Sequence, residues 1–280
     1  MTNETLAITY GLASALTWGA GDFSGGFATK RGKVLMVILL SQLLGALLLF
    51  SLALFFAEQV PEVRHLIFGA MAGISGVLGL TALYKGLALG RMGIVAPLSA
   101  VITALLPMTF SFLFEGLPRL PQVSGFAVAI VSVWLLSYPG RGLKIKGEEL
   151  RLSLTAGVCF GLFFIFIDQA STHSILWPLV AARIASIILI SAILVTTRKI
   201  GAPSKRQVPF IVLAGILDAA GNAFFALAAH IGRLDVSAVL SSLYPGSTVL
   251  LAWLILKEKL LPQQWAGVAA AIAALALIAA

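Results

Sequence analysis

Gly73-Ile74-Ser75-Gly76-Val77-Leu78-Gly79 returns 142 residues later as Gly215-Ile216-Leu217-Asp218-Ala219-Ala220-Gly221. Outward from this stretch, the same offset aligns Gly90 with Gly232, Arg91 with Arg233, Ala96 with Ala238 and Ser99 with Ser241. It continues to Gln122 on Gln264 and Gly125 on Gly267 without a gap. The chain therefore reads as two copies of one unit. Each copy holds five apolar spans. An odd number of spans sends the second copy into the membrane from the side where the first one ended.

The composition requires a membrane. Of the 280 residues, 60% are hydrophobic and 11% charged, with a mean hydropathy of +1.04, whereas soluble domains carry about 25% charged residues. The net charge of +8 does not read as a nucleic-acid footprint. The basic residues fall in short clusters between apolar spans and not along an amphipathic face. The lone cysteine, Cys159, sits in an apolar stretch and reads as a packed thiol.

A helix crosses the hydrocarbon core with about 20 apolar residues. Spans are predicted at 8–28, 34–57, 66–89, 94–115, 121–138, 152–171, 176–197, 207–230, 234–256 and 261–279. The first has no basic region ahead of it and reads as a membrane helix, not a cleavable leader. Runs such as Leu43 to Phe56 do not alternate, which excludes a β-barrel. The predicted fold is an all-α membrane protein of ten transmembrane helices, arranged as two inverted-topology five-helix repeats. Residues 1–138 form the first repeat, 139–151 a Gly-rich charged cytoplasmic linker, and 152–280 the second. Short connections predict that sequential helices are neighbours.

Loops after odd-numbered spans carry fourteen Lys or Arg, among them Lys30, Arg31, Arg91, Arg141, Lys144, Lys146, Lys205, Arg206, Lys257 and Lys259. Loops after even-numbered spans carry three: Arg64, Arg119 and Arg233. The positive-inside rule puts the odd loops in the cytoplasm and both termini on the non-cytoplasmic side. Equivalent loops of the two copies carry opposite charge bias, as opposite insertion requires.

Ionisable residues inside spans are expensive, and each is a candidate for function. Lys85 lies one turn from a span end and can snorkel. Asp168 lies near the outer end of the sixth span. Asp218 is eleven residues into the eighth span, roughly 16 Å deep, with Asn222 one turn on along the same face. The pair serves either as an interhelical hydrogen bond or as a site for a substrate ammonium or a coupling proton. Asp22 lies one turn after Trp18 among Gly19, Gly21, Gly25 and Gly26. It pairs with a basic residue such as Lys30, is solvated from the cytoplasmic side, or lines a site. Arg183, about 10 Å below the outer surface, pairs with Asp168 or Asp218 or binds an anionic group. With Asp218 it would suit a zwitterion. Asp218, Arg183 and Asp168 are the coupling or gating candidates.

Pro107 and Pro245 lie mid-span in the fourth and ninth helices, which are repeat equivalents. Proline removes a donor and bends a helix, and interrupted helices at matched depth point to the binding site of a transporter, a class in which inverted repeats are common. Ser99, Thr103, Ser241 and Tyr244 flank these bends and either satisfy freed backbone groups or bind cargo. Trp18, Tyr84 and Phe164 supply aromatic walls. No His/Cys spacing suggests a metal, no phosphate-binding loop suggests ATP coupling, and no cofactor is expected. The implied partners are a small-molecule substrate and the lipid bilayer, with no nucleic acid; the chain is a monomer or a homodimer.

Several motifs carry a family resemblance. They are Trp18-Gly19 followed by Asp22-Phe23, Leu83-Tyr84-Lys85-Gly86-Leu87-Ala88 before Gly90-Arg91, and Ser237 to Pro245 followed by Lys257-Glu258-Lys259. The first copy holds a degenerate version in Ala96-Pro97-Leu98-Ser99, Pro107 and Glu115. Over essentially its whole length the chain resembles the drug/metabolite transporter superfamily, in its ten-helix EamA-type branch. The resemblance implies a bacterial inner-membrane (plasma-membrane) transporter. Members differ in cargo, among amino acids, drugs, sugars, sugar phosphates and choline. Export of an amino acid or related metabolite by alternating access, with or without proton coupling, is the expectation. The alternatives are an uptake carrier or facilitator for a sugar or other small solute and, remotely, an integral membrane enzyme.

Overall fold

The structure, a computed structural model, describes residues 2–29, 33–88, 92–136, 147–198, 201–256 and 261–279. Lys30, Arg31, Gly90, Arg91, Pro139, Arg141, Lys144, Lys146, Lys199, Lys257, Glu258 and Lys259 lie outside the described residues. The described residues form α1 (Asn3–Thr29), α2 (Val34–Phe55), α3 (Val63–Ala88), α4 (Met92–Phe114), α5 (Leu120–Leu136) and α6 (Gly147–Ala170). They continue with α7 (Leu176–Thr197), α8 (Val208–Ile231), α9 (Leu234–Ser241), α10 (Tyr244–Leu256) and α11 (Pro262–Ala279). No strand occurs among them.

Among the described residues, seven helical runs are long and apolar enough to cross a bilayer: α2, α3, α6, α7, α8, the α9–α10 run and α11. The apolar stretches of α4 and α5 are shorter, and α1 is long but diluted by glycine, hydroxyls and Asp22. Leu47, Leu54, Ile188, Val195 and Trp134 point outward and exposed, a surface that lipid would cover.

The expected single helix at 234–256 is two helices. Pro245 has no N–H to give the Ser241 carbonyl, so the ladder breaks there. The end of α9 tightens instead, with Ser242 N donating to Ala238 O at 2.9 Å and Leu243 N to Leu240 O at 3.2 Å. The helix resumes at Tyr244. By contrast, α4 runs through Pro107 without interruption. α6 begins at Gly147, so the end of the expected 139–151 linker is helical.

The expectation that sequential helices pack side by side is overturned. α1 packs chiefly on α8, α3 on α6 and α7, α2 on α7 and α8, α4 on α6 and α9, and α5 on α11. α1 touches α2, and α6 touches α7, only slightly. Short loops fix helix ends but not helix faces. The faces are chosen by small residues that let backbones approach. A Cβ on Gly73 would overlap the Ala182 carbonyl of α7, and one on Gly215 would sit 2.6 Å from the Ser41 carbonyl of α2. One on Gly79 would meet Phe160 of α6 at 2.8 Å, and one on Gly221 would run into the Trp18 ring of α1. The glycines that recur in the sequence are thus the points where helices of one half meet helices of the other.

Candidate functional site

α1, α2, α3, α4, α6, α7, α8 and α10 surround a cavity of about 630 Å³, counting the solvent space at its opening. Trp18, Asp22, Thr103, Phe164, Arg183, Asp218, Asn222 and Tyr244 line it, with Gln42, Gly73, Gly76, Phe160, Phe163 and Ser186 among the rest. Eight residues singled out from the sequence therefore share one space.

Its centre is polar. Arg183, 3% exposed, donates through Nη1 to Asp218 Oδ2 at 2.6 Å and to Gln42 Oε1 at 2.5 Å. Its Nη2 is buried with no hydrogen-bond partner among the described residues. Of the two carboxylates the sequence offered to Arg183, the structure supplies Asp218. Asp168 lies off the cavity and accepts from Gln169 Nε2 at 3.0 Å. The Asp218 side chain keeps 29% of its surface exposed, so it presents an edge to the cavity while held by Arg183.

One wall is aromatic. The Trp18 indole lies over Phe164 at 5.4 Å and Phe225 at 5.9 Å between centroids, with Phe163 edge-on at 6.3 Å. Its Nε1 donates to Asn222 Oδ1 at 2.9 Å. Buried indoles need such an acceptor, and Gly221 leaves the room for the ring.

Five of the other singled-out residues lie behind this surface. Tyr84 is buried with its hydroxyl against Gly25 of α1. Ser99 is fully buried and shares a 3.3 Å hydrogen bond with the Tyr244 hydroxyl. Ser241 donates to the Gly11 carbonyl at 3.4 Å, on the seam between α9 and α1. Pro107 and Pro245 are buried backbone features of α4 and α10. Thr103 faces the cavity and donates back to the Ser99 carbonyl at 2.8 Å. Lys85 is exposed near the end of α3, where its stem can reach the interface.

Sequence reading passed over Gln42, the second partner of Arg183. A lone amide within the apolar run of α2 was the available signal. It also passed over Glu58, which follows α2. The Glu58 carboxylate accepts from Ile175 N, Leu176 N and Trp177 N at 2.8–3.1 Å and from Ser174 Oγ at 3.0 Å. It thereby satisfies the orphan donors of the α7 N-terminus. At the same end of the molecule Thr172 Oγ1 lies 2.8 Å from His65 Nε2, His230 Nδ1 donates to Ser171 O at 2.8 Å, and Arg233 donates to Gly116 O at 2.8 Å. No group of three or more metal-ligating side chains occurs among the described residues.

Residues 150–280 match the EamA-like transporter family. An L-rhamnose-proton symporter of Pectobacterium atrosepticum is 34% identical over 107 residues, covering 35% of this chain and 31% of that protein. Its counterpart in Pectobacterium carotovorum is 33% identical over the same length and shares. The chain thus spans about a third of these symporters. An uncharacterised protein of Methanocaldococcus jannaschii is 28% identical over 133 residues, which cover 47% of this chain and 96% of that one. A protein of known crystal structure superposes with a TM-score of 0.79 over 97% of this chain and 95% of its own, at 17% identity. That likeness concerns the fold.

Proposed function

We propose that the chain is a secondary transporter of the drug/metabolite transporter superfamily that carries an amino acid or related small metabolite out of the cell. Cargo binds in the central cavity, and two five-helix halves, residues 1–138 and 152–280, rock about it to expose it to each side in turn. The halves are inverted, both termini lie outside, and the membrane is the bacterial inner membrane.

Support for two inverted halves comes from the packing. Exchanging each helix for its repeat equivalent turns α1 on α8 into α6 on α3, α2 on α8 into α7 on α3, and α4 on α6 into the α9–α10 run on α1. All of these contacts are present. The Methanocaldococcus jannaschii relative, matched along 96% of its length by 133 residues, has the size of one such half. The bonds of Glu58, His65 and Arg233 join the halves at the end assigned to the outer face, which suits a state closed on that side.

The observation that carries the cargo class is the Arg183 Nη2, which has no hydrogen-bond partner among the described residues, on a side chain that lines the cavity. A buried guanidinium donor without an acceptor is costly, and a carboxylate arriving there would satisfy it, with the Trp18 wall beside it for an apolar side chain. The test is counterflow into liposomes holding the purified chain, with labelled amino acids, organic acids, amines and sugars as probes. Amino-acid exchange that falls at least tenfold in Arg183→Ala is expected. Absence of any flux would overturn the transport reading, and undiminished flux in Arg183→Ala would remove the carboxylate assignment.

A second reading rests on the two Pectobacterium relatives, both L-rhamnose-proton symporters. By that reading the chain takes up a sugar or another neutral solute with a proton. Exchange of L-rhamnose but of no amino acid in the same liposomes would favour it.

A further inference from the structure

Where α3 begins and α6 ends, the two halves meet through a hydroxyl and two imidazoles. Thr172 Oγ1, just past α6, lies 2.8 Å from Nε2 of His65 in the first turn of α3 and 3.0 Å from Nδ1 of its neighbour His173. The two rings stand edge to face with centroids 5.2 Å apart. His65 is buried, and its Nδ1 has no hydrogen-bond partner among the described residues. The same holds for the buried Oγ of Ser171, next to Thr172. Thr172 and His173 are exposed, so bulk protons reach the chain of bonds.

One hydroxyl proton serves two imidazole nitrogens, so one nitrogen donates to the Thr172 oxygen and the other accepts from it. If His65 accepted, its neutral ring would carry the proton on Nδ1, a buried N–H without an acceptor, the rarer kind of orphan. The arrangement that avoids this runs from His65 Nε2–H to Thr172 Oγ1–H to His173 Nδ1 and leaves His65 Nδ1 a bare lone pair. Both rings are then neutral. A proton added to His65 can go only to Nδ1, where it is buried without an acceptor. A proton added to His173 removes the acceptor of the Thr172 hydroxyl.

No neighbouring charge compensates. Neither imidazole has a carboxylate partner among the described residues. Past α2, Glu58 is taken up by the α7 N-terminus. On α3, Glu62 and Arg64 are exposed, and Arg64 lies 5.7 Å over Phe68. Past α4, Glu115 accepts from Ser111 Oγ at 2.8 Å. On α6, Asp168 accepts from Gln169. On α7, no titratable side chain precedes Arg183. Ahead of α9, Arg233 holds Asp235. His230 of α8 donates Nδ1 to the Ser171 carbonyl at 2.8 Å, a bond that a neutral or a charged ring makes equally well.

We propose that His65, Thr172 and His173 form a proton-operated latch between the halves. With both rings neutral it holds this end closed, and a proton taken up by His65 from outside releases it. Closure is favoured above the imidazole range and is lost as pH falls through it, from roughly pH 8 to pH 5. Opening gives His65 Nδ1 and Ser171 Oγ water as a partner. The latch presupposes the rocking halves, and the outer assignment of this end, proposed above. It regulates access to the cavity and needs no proton to bind within it.

The test is the rate at which a membrane-impermeant thiol reagent, added outside right-side-out membrane vesicles, modifies Ser186→Cys on the cavity wall in a Cys159→Ser background. Each rate is divided by that of the same chain carrying His65→Gln at the same pH, which cancels the pH dependence of the thiol. Gln keeps a donor at the place of Nε2 and does not titrate. The expected ratio is near one at about pH 8 and about ten at about pH 5. Thr172→Val, which breaks the latch and spares both imidazoles, should label fast at both pH values. His230→Gln should keep the wild-type pH profile. A ratio flat with pH, or a pH response abolished by His230→Gln, would overturn the latch alone. Labelling in no variant at any pH would overturn the latch and the aqueous transport cavity together, so the two failures are told apart.

Discussion

Arg183 on α7 and Asp218 on α8 form an ion pair of 2.6 Å between side chains that are 4% and 29% exposed. One partner is sealed and the other faces the cavity. Removing one member of a buried pair leaves a charge without its counterion, at a cost of about 3 kcal/mol or more. Arg183→Ala and Asp218→Asn should each lower the thermal unfolding midpoint in detergent. The double variant Arg183→Leu/Asp218→Leu should recover much of the loss, and additive losses would show that the pair is not coupled.

The Trp18 indole donates to Asn222 and lies on Phe164. Trp18→Phe keeps a ring in the stack and loses the donor, leaving the Asn222 carbonyl unsatisfied at a cost of about 1 kcal/mol. Asn222→Leu on that background should add little further loss, because the two changes remove the same bond. Thermal unfolding of the two single variants and the double variant measures this.

The glycines of the repeat make matched contacts across the halves. Gly73→Val and Gly215→Val each drive a side chain into a carbonyl of the opposite half, and overpacking of this kind costs about 1–3 kcal/mol. Both should reduce the yield of folded protein. Gly147→Ala, with nothing within 4 Å of the new Cβ, should not. A harmless Gly215→Val would contradict the packing described here.

Glu58 holds the α7 N-terminus to the segment after α2 through three backbone donors. Glu58→Gln removes the charge that complements the helix end, worth about 1 kcal/mol. If this end is the outer gate, the variant shifts the population toward the state open there. Thiol labelling from outside at a cysteine placed on the cavity wall should then speed up, and an unchanged rate would remove Glu58 from the gate.

The glycine contacts, the apolar helices and the charges of the cavity were legible because each follows from local chemistry: close approach, hydropathy, and the cost of charge in lipid. Asp22, Asp218, Asn222 and Trp18 indeed meet in one cavity. Which faces pair was not legible. Loop length fixes the ends of α1 and α2, yet α1 packs chiefly on α8 through Gly21 and turns Gly11 to α9 and Gly19 to α10. Gln42 looked like an isolated polar residue until α7 brought Arg183 beside it. Ser241 and Tyr84 have the residue types of a binding site, but their hydroxyls are turned into helix seams. The two prolines looked alike in sequence, and only Pro245 interrupts its helix.

The most direct measurement of the central claim places a cysteine at Ser186, a cavity-wall residue on α7 that is 3% exposed, in a Cys159→Ser background. In reconstituted vesicles, the account predicts that a membrane-impermeant thiol reagent modifies this cysteine through water, and that a transported solute slows the reaction. Modification only by lipid-soluble reagents, or none at all, would contradict an aqueous transport cavity at the centre of this fold.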